Sequence, residues 1–454
     1  MSNDPIFDLA RHVADTTLDK IPAPAITAAK TFILDTLGVG ISGGTGPMTR
    51  EVILSASTMG SGSDARVWGS GERLPANLAA LCNAYQSHCQ EFDCVHEDAV
   101  VHVMTVVLPA ALAIAERQGG VSGARLLEAV NLGVDVAATL GVAARSGLRF
   151  FRPGTAGAFG GVAAIGKILG FDTALMVQAF SLTYGQVGGT MQAHTEGSGL
   201  LAMQMGFNAR NAVMAADLAA AGFTGPENVL MGDFGYFRLI EDGGDPQAAI
   251  DELGKRWRIS EVAHKPFPSG RATHGILDGG LALQRAHGFT ADQIEEIRLT
   301  VPPLIQHLVG RPPKTEMAIN YARLCARYVL ACALHGDGVA LSDFSPDAYR
   351  RPDRQRLAAA ASISVEDRGD PNALTPVTVE ILLKDGRSFS STIEHVSGSP
   401  RNPLSKERHL NKFRQNCADG VRPVAENQVD ALIELVDQLD GLPDVTRLVD
   451  QTLC

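Results

Sequence analysis

The sequence predicts a mainly α-helical protein in which an α+β segment is inserted into a helical domain built from both chain ends. Apolar runs rich in Ala and Gly fill most of the first 255 residues, and helical patterns return after residue 402. Between them, strand patterns occupy 290–302, 361–366 and 377–387. We therefore expect an all-helical domain of residues 1–265 and 403–454, covered by an α+β lid domain of residues 266–402.

Gly and Pro signals divide the helical runs. The first run is broken at Pro22 and Pro24, and the second is expected to end at Leu37, because a glycine-rich stretch begins at Gly38. Further helices are expected over 75–85, 103–145, 160–169, 173–188, 203–221, 405–415 and 425–439.

Composition indicates a globular protein of two or three domains, because 454 residues exceed one ordinary core. The chain is 45% hydrophobic with 47 glycines and only 6% aromatic residues, which favours closely packed helices. The formal charge of -11 argues against nucleic acid or an anionic membrane as the main partner. An anionic substrate would therefore need a local basic pocket.

Cysteine usage and the N-terminal sequence favour a cytoplasmic protein. The seven cysteines form no CxxC pair, which fits a reducing compartment and argues against a zinc site. The first residues contain no apolar signal region. The apolar runs at 101–115 and 212–221 are too short or too rich in Ala for a membrane span, so we expect core helices there.

Residues 90–102 form an acidic segment, which we predict to be the chemical centre. It carries four carboxylates and two imidazoles between two runs that read as buried helices: Glu91, Asp93, His96, Glu97, Asp98 and His102. Charges in such a position must be paired or functional. The competing interpretation is a solvated turn in which Asp93 caps the next helix and the histidines face water.

Two basic segments are candidates for binding an anion. Residues 145–154 contain three arginines, of which Arg152 stands beside a proline break. These arginines could equally complement a helix dipole at the surface. A second basic segment runs from His264 to His274 and includes Lys265 and Arg271. Neither a dinucleotide fingerprint nor a Walker A motif is found anywhere in the sequence.

An ordered set of short motifs resembles the 2-methylcitrate dehydratase (MmgE/PrpD) family over nearly the whole chain. The motifs are Leu34–Gly38, Glu91–Asp93 with His102, Gly222–Pro226, Lys265–Ser269 with His274, Asp385–Gly386, Asn402–Ser405 and Lys412–Phe413. The resemblance implies a homodimer without a metal or cofactor. It also implies an all-helical domain with an α+β lid, acting on small di- and tricarboxylates as a dehydratase, decarboxylase or epimerase.

The resemblance also implies site residues. Five positions fall on active-site positions of the family: Asp93, His102, Lys265, His274 and Tyr328. Candidates for binding the substrate are His96, Glu97, Arg152, Gln204 and Arg271. The chain departs from the family pattern at Cys94 (often Asp), Arg152 (His), Leu201 (Lys) and Gly270 (Cys). Loss of the His and the Lys argues against a decarboxylase and weakens the case for 2-methylcitrate itself.

Elimination or epimerisation beside a carboxylate needs a base for the Cα proton and cations for the negative charge that develops. His102 suits the base, oriented by Asp93, and Lys265, Arg271 and Arg152 suit the carboxylates. Tyr328 or His274 would protonate a leaving hydroxyl. Tyr328 is about as readily explained as a core tyrosine on an apolar helix, and His274 as a hydrogen bond at the domain junction.

The expected function is a cofactor-free lyase that dehydrates a small hydroxy di- or tricarboxylate. The alternatives are an epimerase of an iminodisuccinate-like dicarboxylate and a cis-aconitate-type decarboxylase. A metal-dependent hydrolase using Asp93, His96, Glu97 and His102 is disfavoured, because their spacing gives no helical ligand pair. A non-enzymatic binding protein would leave the charged groups at the domain junction unexplained.

Overall fold

The computed structural model describes residues 4–145, 147–370 and 372–453. It is 57% helical and 10% strand, which confirms the mainly α prediction. Helices precede the strand-rich part of the chain and follow it. They are α1 Ile6–Asp15, α2 Ala23–Gly43, α3 Thr49–Met59, α4 Ala76–His88, α5 Val103–Gln118, α6 Gly123–Ala143, α7 Arg152–Leu169, α8 Thr173–Tyr184, α9 Gln192–Glu196, α10 Leu200–Ala220, α11 Tyr236–Leu239 and α12 Pro246–Ile250, then α19 Lys406–Ala418, α20 Glu426–Asp437 and α21 Thr446–Asp450.

Helices α4, α5, α6, α7 and α10 pack on one another and form the centre of the core. In α5, every residue from Val103 to Ala115 is buried, so this helix contacts neighbours on all sides. The expected single helix over 103–145 is two helices, because Gly119 and Gly120 adopt positive φ between them. Ser122 then caps α6 by accepting a hydrogen bond from the backbone N–H of Arg125.

Helix α2 continues to Gly43 and does not end at Leu37 as expected. The glycines here serve close packing instead of ending the helix. A Cβ at Gly40 would lie 2.5 Å from the Trp68 ring, and one at Gly43 would lie 2.0 Å from the backbone oxygen of Gln86 in α4. Glycine therefore lets α2 approach α4, which carries the start of the acidic segment.

The part between α12 and α19 contains one four-stranded sheet. In chain order its strands begin at Ile294 (β5), Ala361 (β6), Val377 (β7) and Ser388 (β8), and their order across the sheet is β6-β5-β7-β8. Strand β5 pairs parallel with β6 and antiparallel with β7, and β7 pairs antiparallel with β8. The strands are β5 Ile294–Val301, β6 Ala361–Val365, β7 Val377–Leu383 and β8 Ser388–Ile393, and the helices are α13 His274–His287, α14 Pro303–Val309, α15 Ile319–Arg323, α16 Ala326–His335, α17 Pro346–Tyr349 and α18 Pro352–Ala359. Alternate residues of β5 and β7 are buried, and α13 packs on β7 and β8.

Short two-stranded pairs connect distant parts of the chain. Strand β1 (Ala65–Arg66) pairs with β2 (Arg73–Leu74), and β3 (Val95–His96) pairs antiparallel with β4 (Val262–Ala263). The second pair joins the acidic segment to the residues directly before Lys265. At the end of the chain, α19 and α20 pack on α2, and α21 contacts α5.

Two helices, Ala23–Gly43 and Gly123–Ala143, have the length and apolar composition that a bilayer span requires. Their apolar stretches are 72% and 94% buried inside the protein. Core helices pass the same test of length and composition. Their burial therefore accounts for the apolar composition of both.

Candidate active site

The acidic segment forms an irregular loop between α4 and α5, and the backbone of this loop is strained. Glu91 has a φ of 54° and Val100 a φ of 53°, both in the left-handed region. This conformation is costly for a β-branched residue such as Val100, so tertiary contacts must hold it in place. Residues in such conformations are concentrated at functional sites.

Asp93 is the centre of a buried polar cluster. Its Oδ2 atom lies 2.9 Å from Nδ1 of His102 and 2.9 Å from Nδ1 of His88. The same oxygen accepts a hydrogen bond of 2.5 Å from the hydroxyl of Thr105 in α5. The rings of His88 and His102 meet edge to face, with their centroids 4.8 Å apart. Asp93 therefore fixes the orientation of both imidazoles.

The cluster separates the protonation states of its two histidines. Burial lowers the pKa of His102 below the ordinary 6.5, although Asp93 opposes the change. Burial also acts to lower the pKa of His88, but Asp93 and Glu91 outweigh it and raise that pKa. His102 is therefore neutral near pH 7, with its proton on Nδ1 facing Asp93 and the lone pair of Nε2 available as a base.

The buried ammonium group of Lys265 neutralises the carboxylates of this cluster. Its side chain is fully buried, and Nζ lies 2.9 Å from Oε2 of Glu91 and 3.5 Å from Oδ1 of Asp93. It also donates a 3.2 Å hydrogen bond to the backbone oxygen of Glu91. Burial acts to raise the pKa of Glu91, but Lys265 and His88 lower it to about 2. Both carboxylates are therefore ionised and paired.

Arg271 lies on the other side of the site and pairs with Glu97, with Nε 2.7 Å from Oε1. Its Nη1 donates to the backbone oxygens of His264 and Ser397, at 3.0 and 2.7 Å. Nη2 is buried and has no hydrogen-bond partner among the described residues. An unsatisfied buried guanidinium N–H is costly, so this atom is a candidate anion contact.

These groups surround a cavity whose walls are mainly apolar. His102, Glu91, Glu97, His194 and Arg271 supply its polar lining. We define the apolar wall as the six large side chains that face them: Leu148, Phe151, Met191, Leu308, Leu324 and Leu374. The lining comes both from the helical part before residue 200 and from the part that contains the sheet. A substrate in this cavity would contact both parts.

Sequence reasoning missed two histidines of this site. His88 was hidden because α4 was expected to end at Tyr85, whereas it continues to His88. His194 lies on the short helix α9, where burial and Arg311 lower its pKa to about 3, so it is neutral. The Nη2 atom of Arg311 lies 3.3 Å from its Nδ1. In the sequence, the only indication that His194 could belong to the site was its position as a polar residue within an Ala-rich region.

Two of the candidate substrate-binding residues have protein partners instead. His96 donates from Nε2 to Glu261 at 2.9 Å, while its Nδ1 accepts from the backbone N–H of Ala99. Arg152 is fully buried, with its Nη2 2.9 Å from Oε2 of Glu241. Neither residue is part of the cavity lining, and each is paired with a carboxylate of the protein.

Three further candidates also lie outside the cavity lining. The hydroxyl of Tyr328 is buried in the core and donates a 2.6 Å hydrogen bond to the backbone oxygen of Asp343. His274 begins α13 with Nε2 3.3 Å from the Ser269 hydroxyl, and burial holds its pKa well below 6.5. Gln204 lies against Gly189, where a Cβ would be 2.8 Å from its Cδ. The hydrogen bond of Tyr328 indicates a structural role, whereas the roles of His274 and Gln204 stay predictions, and Nε2 of Gln204 is buried without a hydrogen-bond partner among the described residues.

Two groups of side chains within the described residues are close enough to hold a cation. They are Asp35, His264 and His409, and His88, Asp93 and His102. In each group a lysine already accompanies the carboxylate. Lys412 Nζ lies 2.8 Å from Asp35, and Lys265 lies 3.5 Å from Asp93. We therefore describe both groups as ion-pair networks.

Two protein-family models together match most of the chain. The model of the MmgE/PrpD N-terminal domain matches residues 7–249, and that of the MmgE/PrpD C-terminal domain matches residues 267–439. The C-terminal match includes α19 and α20, which pack on α2 of the N-terminal match. The family's division of the chain thus assigns those helices to its second part.

Curated relatives are similar along nearly their whole length. Cis-aconitate decarboxylase of Mus musculus is 29% identical over 448 residues, covering 93% of this chain and 89% of that protein. The Homo sapiens enzyme of the same name is 29% identical over 442 residues, with the same coverage. The Aspergillus terreus enzyme is 27% identical over 473 residues, covering 98% and 95%. Since the two domain models together match most of its length, the chain belongs to the MmgE/PrpD family.

Proposed function

We propose that the protein is a lyase that transfers a proton at the carbon beside the carboxyl group of a small organic acid. The observation that carries the proposal is the neutral imidazole of His102. Its Nδ1 is held 2.9 Å from Asp93, and the residue lines a cavity together with Arg271. A neutral base oriented by a carboxylate beside an anion contact is the arrangement that proton abstraction requires.

Dehydration of a hydroxy acid is the reaction we favour. Nε2 of His102 takes the proton from Cα, and the electron pair of that bond moves into the carboxylate and then forms the carbon–carbon double bond. The Cβ–O bond breaks, and the leaving hydroxyl takes the proton back from the His102 imidazolium as water departs. Arg271 stabilises the charge that develops on the carboxylate.

His102 serves as both base and acid in this scheme because the described cavity lining offers no better acid. His194 has a pKa of about 3, so it is neutral and carries no acidic proton to donate. The hydroxyl of Tyr328 is hydrogen-bonded to the backbone oxygen of Asp343 outside the cavity. His88 is buried, contacts the same oxygen of Asp93 as His102 does, and has a raised pKa, so it supports the negative charge of Asp93. Lys265 acts as a positioning residue for Glu91 and Asp93.

Decarboxylation is the second candidate, and the names of the curated relatives favour it. In that reaction the bond to the carboxyl carbon breaks, carbon dioxide leaves, and the electron pair stays on the remaining carbon. A protonated His102 would then donate its proton to that carbon. Epimerisation is the third: the proton removed from Cα returns to the opposite face, and no bond to a leaving group breaks.

One experiment separates these reactions. A panel of hydroxylated and unsaturated carboxylic acids is incubated with the protein in deuterium oxide and followed by NMR, alkene absorbance and carbon dioxide release. Dehydration gives an alkene, decarboxylation gives carbon dioxide with deuterium in the product, and epimerisation gives exchange alone.

The variant His102→Gln tests the proposed base. We expect turnover to fall by about 100-fold or more, the usual contribution of general-base catalysis. The matched control is His287→Gln, which alters an exposed histidine that stacks on Phe389 near the sheet. Retention of more than about a tenth of the turnover by His102→Gln would overturn the assignment.

A further inference from the structure

We propose that His194 donates a hydrogen bond from Nε2 to a carboxylate oxygen of the substrate, and that Arg311 holds the histidine in the tautomer that does so. The inference rests on the proposed function, because it adds a catalytic residue and a positioning residue to the same site. Three observations carry it. They are the donors that the cavity offers, the contact at Nδ1 of His194, and the charge of Arg311.

The cavity offers few side-chain donors to the oxygens of a bound acid. Five polar side chains line it: Glu91, Glu97, His102, His194 and Arg271. The two glutamates face cations of the protein as acceptors, and the proposed base presents the lone pair of its Nε2. A buried oxygen without a donor is costly. Arg271 and His194 are therefore the side chains of this lining that can donate to the substrate.

The contact at Nδ1 determines which nitrogen of His194 carries the proton. Nη2 of Arg311 lies 3.3 Å from Nδ1, and a guanidinium group can only donate. A proton on Nδ1 would face this donor, so Nδ1 accepts and the proton is on Nε2. Burial and Arg311 lower the pKa of His194 to about 3, so the ring gains no second proton near pH 7.

Nε2 of His194 is available to a ligand. The residue lines the cavity, and none of the described residues accepts a hydrogen bond from this nitrogen. A neutral imidazole transfers no proton in this pH range, but its N–H group still donates a hydrogen bond. Donors that are fixed in place before the reaction stabilise negative charge as it develops on an oxygen. His194 therefore supports the charge while His102 moves the proton.

Arg311 is itself fixed in place beside the histidine. Its Nη2 also donates to the backbone oxygens of His194 and Leu308, at 3.0 and 3.2 Å, and its guanidinium lies 5.0 Å from the centroid of the Tyr321 ring. The short helix α9 packs closely on the same tyrosine, because a Cβ at Gly197 would lie 2.5 Å from Cβ of Tyr321. These contacts hold the guanidinium and the imidazole in one arrangement.

The charge of Arg311 makes His194 a stronger donor. Among the described residues no carboxylate lies within ion-pair distance of Arg311, and its Nη1 is buried without a hydrogen-bond partner. Arg271, in contrast, is paired with Glu97. A positive charge beside Nδ1 polarises the ring and its Nε2–H bond, as in other chains of hydrogen bonds in a site of low dielectric constant. The matching acceptor is therefore an oxygen that carries negative charge.

NMR of the protein labelled with heavy nitrogen at its histidines reads the tautomer, because a protonated ring nitrogen and a bare one resonate far apart. The loss of signals in His194→Gln identifies those of His194. We expect the proton on Nε2 in the wild type, and a rise of the Nδ1–H tautomer in Arg311→Met. The matched control is Lys314→Met, which removes an exposed cation that stacks on the same Tyr321 ring and should leave the tautomer unchanged.

Titration with acetate, succinate and tricarballylate tests the contact with a carboxylate. These acids carry one, two and three carboxylates and have no hydroxyl group to lose. At least one of them should shift the Nε2 signal of His194. The signals of His307, an exposed histidine on α14 whose charge also reaches His194, should stay in place.

Turnover of the acid that the substrate panel identifies tests the catalytic role. His194→Phe should lower kcat by about 100-fold or more, the usual loss when one donor to a developing charge is removed. His194→Gln keeps an N–H group and should recover at least about tenfold of this loss. The control His307→Phe makes the same substitution at the exposed histidine and should keep kcat. Arg311→Met should lower kcat in the wild type but not in His194→Phe, because its effect passes through the imidazole.

The outcomes separate this inference from the proposed function. A proton on Nδ1 in the wild type overturns the inference, and so does a His194 signal that none of the three acids shifts. A fall in kcat for Arg311→Met that adds to that of His194→Phe also overturns it, because Arg311 would then contact the substrate itself. These wild-type signals keep the test valid if Arg311→Met fails to fold.

Loss of turnover in His102→Gln with full turnover in His194→Phe would overturn the inference and support the proposed function. A shift of the Nε2 signal with no turnover of any acid in the panel would support the hydrogen bond from His194 and overturn the proposed function.

Discussion

Replacing Lys265 with methionine should destabilise the folded protein and not merely weaken substrate binding. Lys265 is fully buried, and its ammonium group contacts Glu91 at 2.9 Å and Asp93 at 3.5 Å. Methionine keeps most of the volume and removes the charge. Of the two histidines, only His88, whose pKa is raised, would then remain as a positive partner of these two buried carboxylates.

The magnitude follows from the pKa of Glu91. Despite burial, Lys265 and His88 lower this pKa from 4.5 to about 2, which corresponds to about 3 kcal/mol of stability above pH 4.5. Removal of one partner of a buried ion pair typically costs about 3–5 kcal/mol. Because the folded pKa of Glu91 is depressed, the wild-type protein loses this stability as the pH falls from 4.5 to about 2. The deficit of Lys265→Met should therefore shrink below pH 4.5.

Urea unfolding of both proteins at pH 7 and pH 4 measures the effect. The control is Lys384→Met, which removes an exposed lysine after β7 and should change stability by less than about 0.5 kcal/mol. The double variant Lys265→Met/Glu91→Gln removes both charges of the pair and should recover much of the loss. If Lys265→Met unfolds within about 1 kcal/mol of the wild type at pH 7 while only its KM rises, Lys265 contacts the substrate and our reasoning fails.

Four further predictions follow from the structure. The pH profile of kcat/KM should fall on the acid side, below pH 6.5, because the pKa of His102 is lowered and only its neutral form is a base; a fall that begins above pH 6.5 would contradict this. Tyr328→Phe should keep kcat and lose about 1–2 kcal/mol of stability, because it breaks the hydrogen bond to Asp343. The protein should form a homodimer in light scattering, since six exposed large hydrophobic side chains lie within 200–239, and a 47.9 kDa species would count against it. A carboxylic acid that the protein turns over should slow amide hydrogen exchange within 266–402 if this part closes over the site, and unchanged exchange there would refute closure.

The sequence predicted the mainly α class and the strands because these depend on local patterns. Alternating apolar residues located β5 and β7, and their burial alternates in the same way. Helix ends were predicted less well. Gly38 was expected to end helix α2, but the helix continues through its glycines. They are needed because a side chain at Gly40 or Gly43 would collide with Trp68 or with Gln86 of α4. Such a contact is invisible in a single chain segment.

Proximity in sequence explains which parts of the site were predicted. Asp93 and His102 belong to one segment, so their pairing at 2.9 Å followed from the crowding of charge there. The partners of the basic residues are far away in sequence: Glu241 for Arg152 and Glu97 for Arg271 lie 89 and 174 residues from them. From residue type alone, Arg152 and Arg271 were predicted to bind a substrate. The sequence does not show that carboxylates of the protein lie beside them.

These pairings change what the basic residues mean for function. Three cations near an acidic segment favour a polyanionic substrate when only the sequence is considered. In the structure, each of the three has a carboxylate within 3 Å: Lys265 has Glu91, Arg152 has Glu241, and Arg271 has Glu97. A buried ion pair is costly to open, so a substrate carboxylate cannot displace its protein counterpart without a compensating gain. Of these three cations, only Arg271 keeps a buried nitrogen without a partner among the described residues, and it lies beside the neutral imidazole of His102. Arg311 adds a guanidinium whose Nη2 contacts His194 and two backbone oxygens. Proton transfer next to a carboxylate is the chemistry that these groups can support.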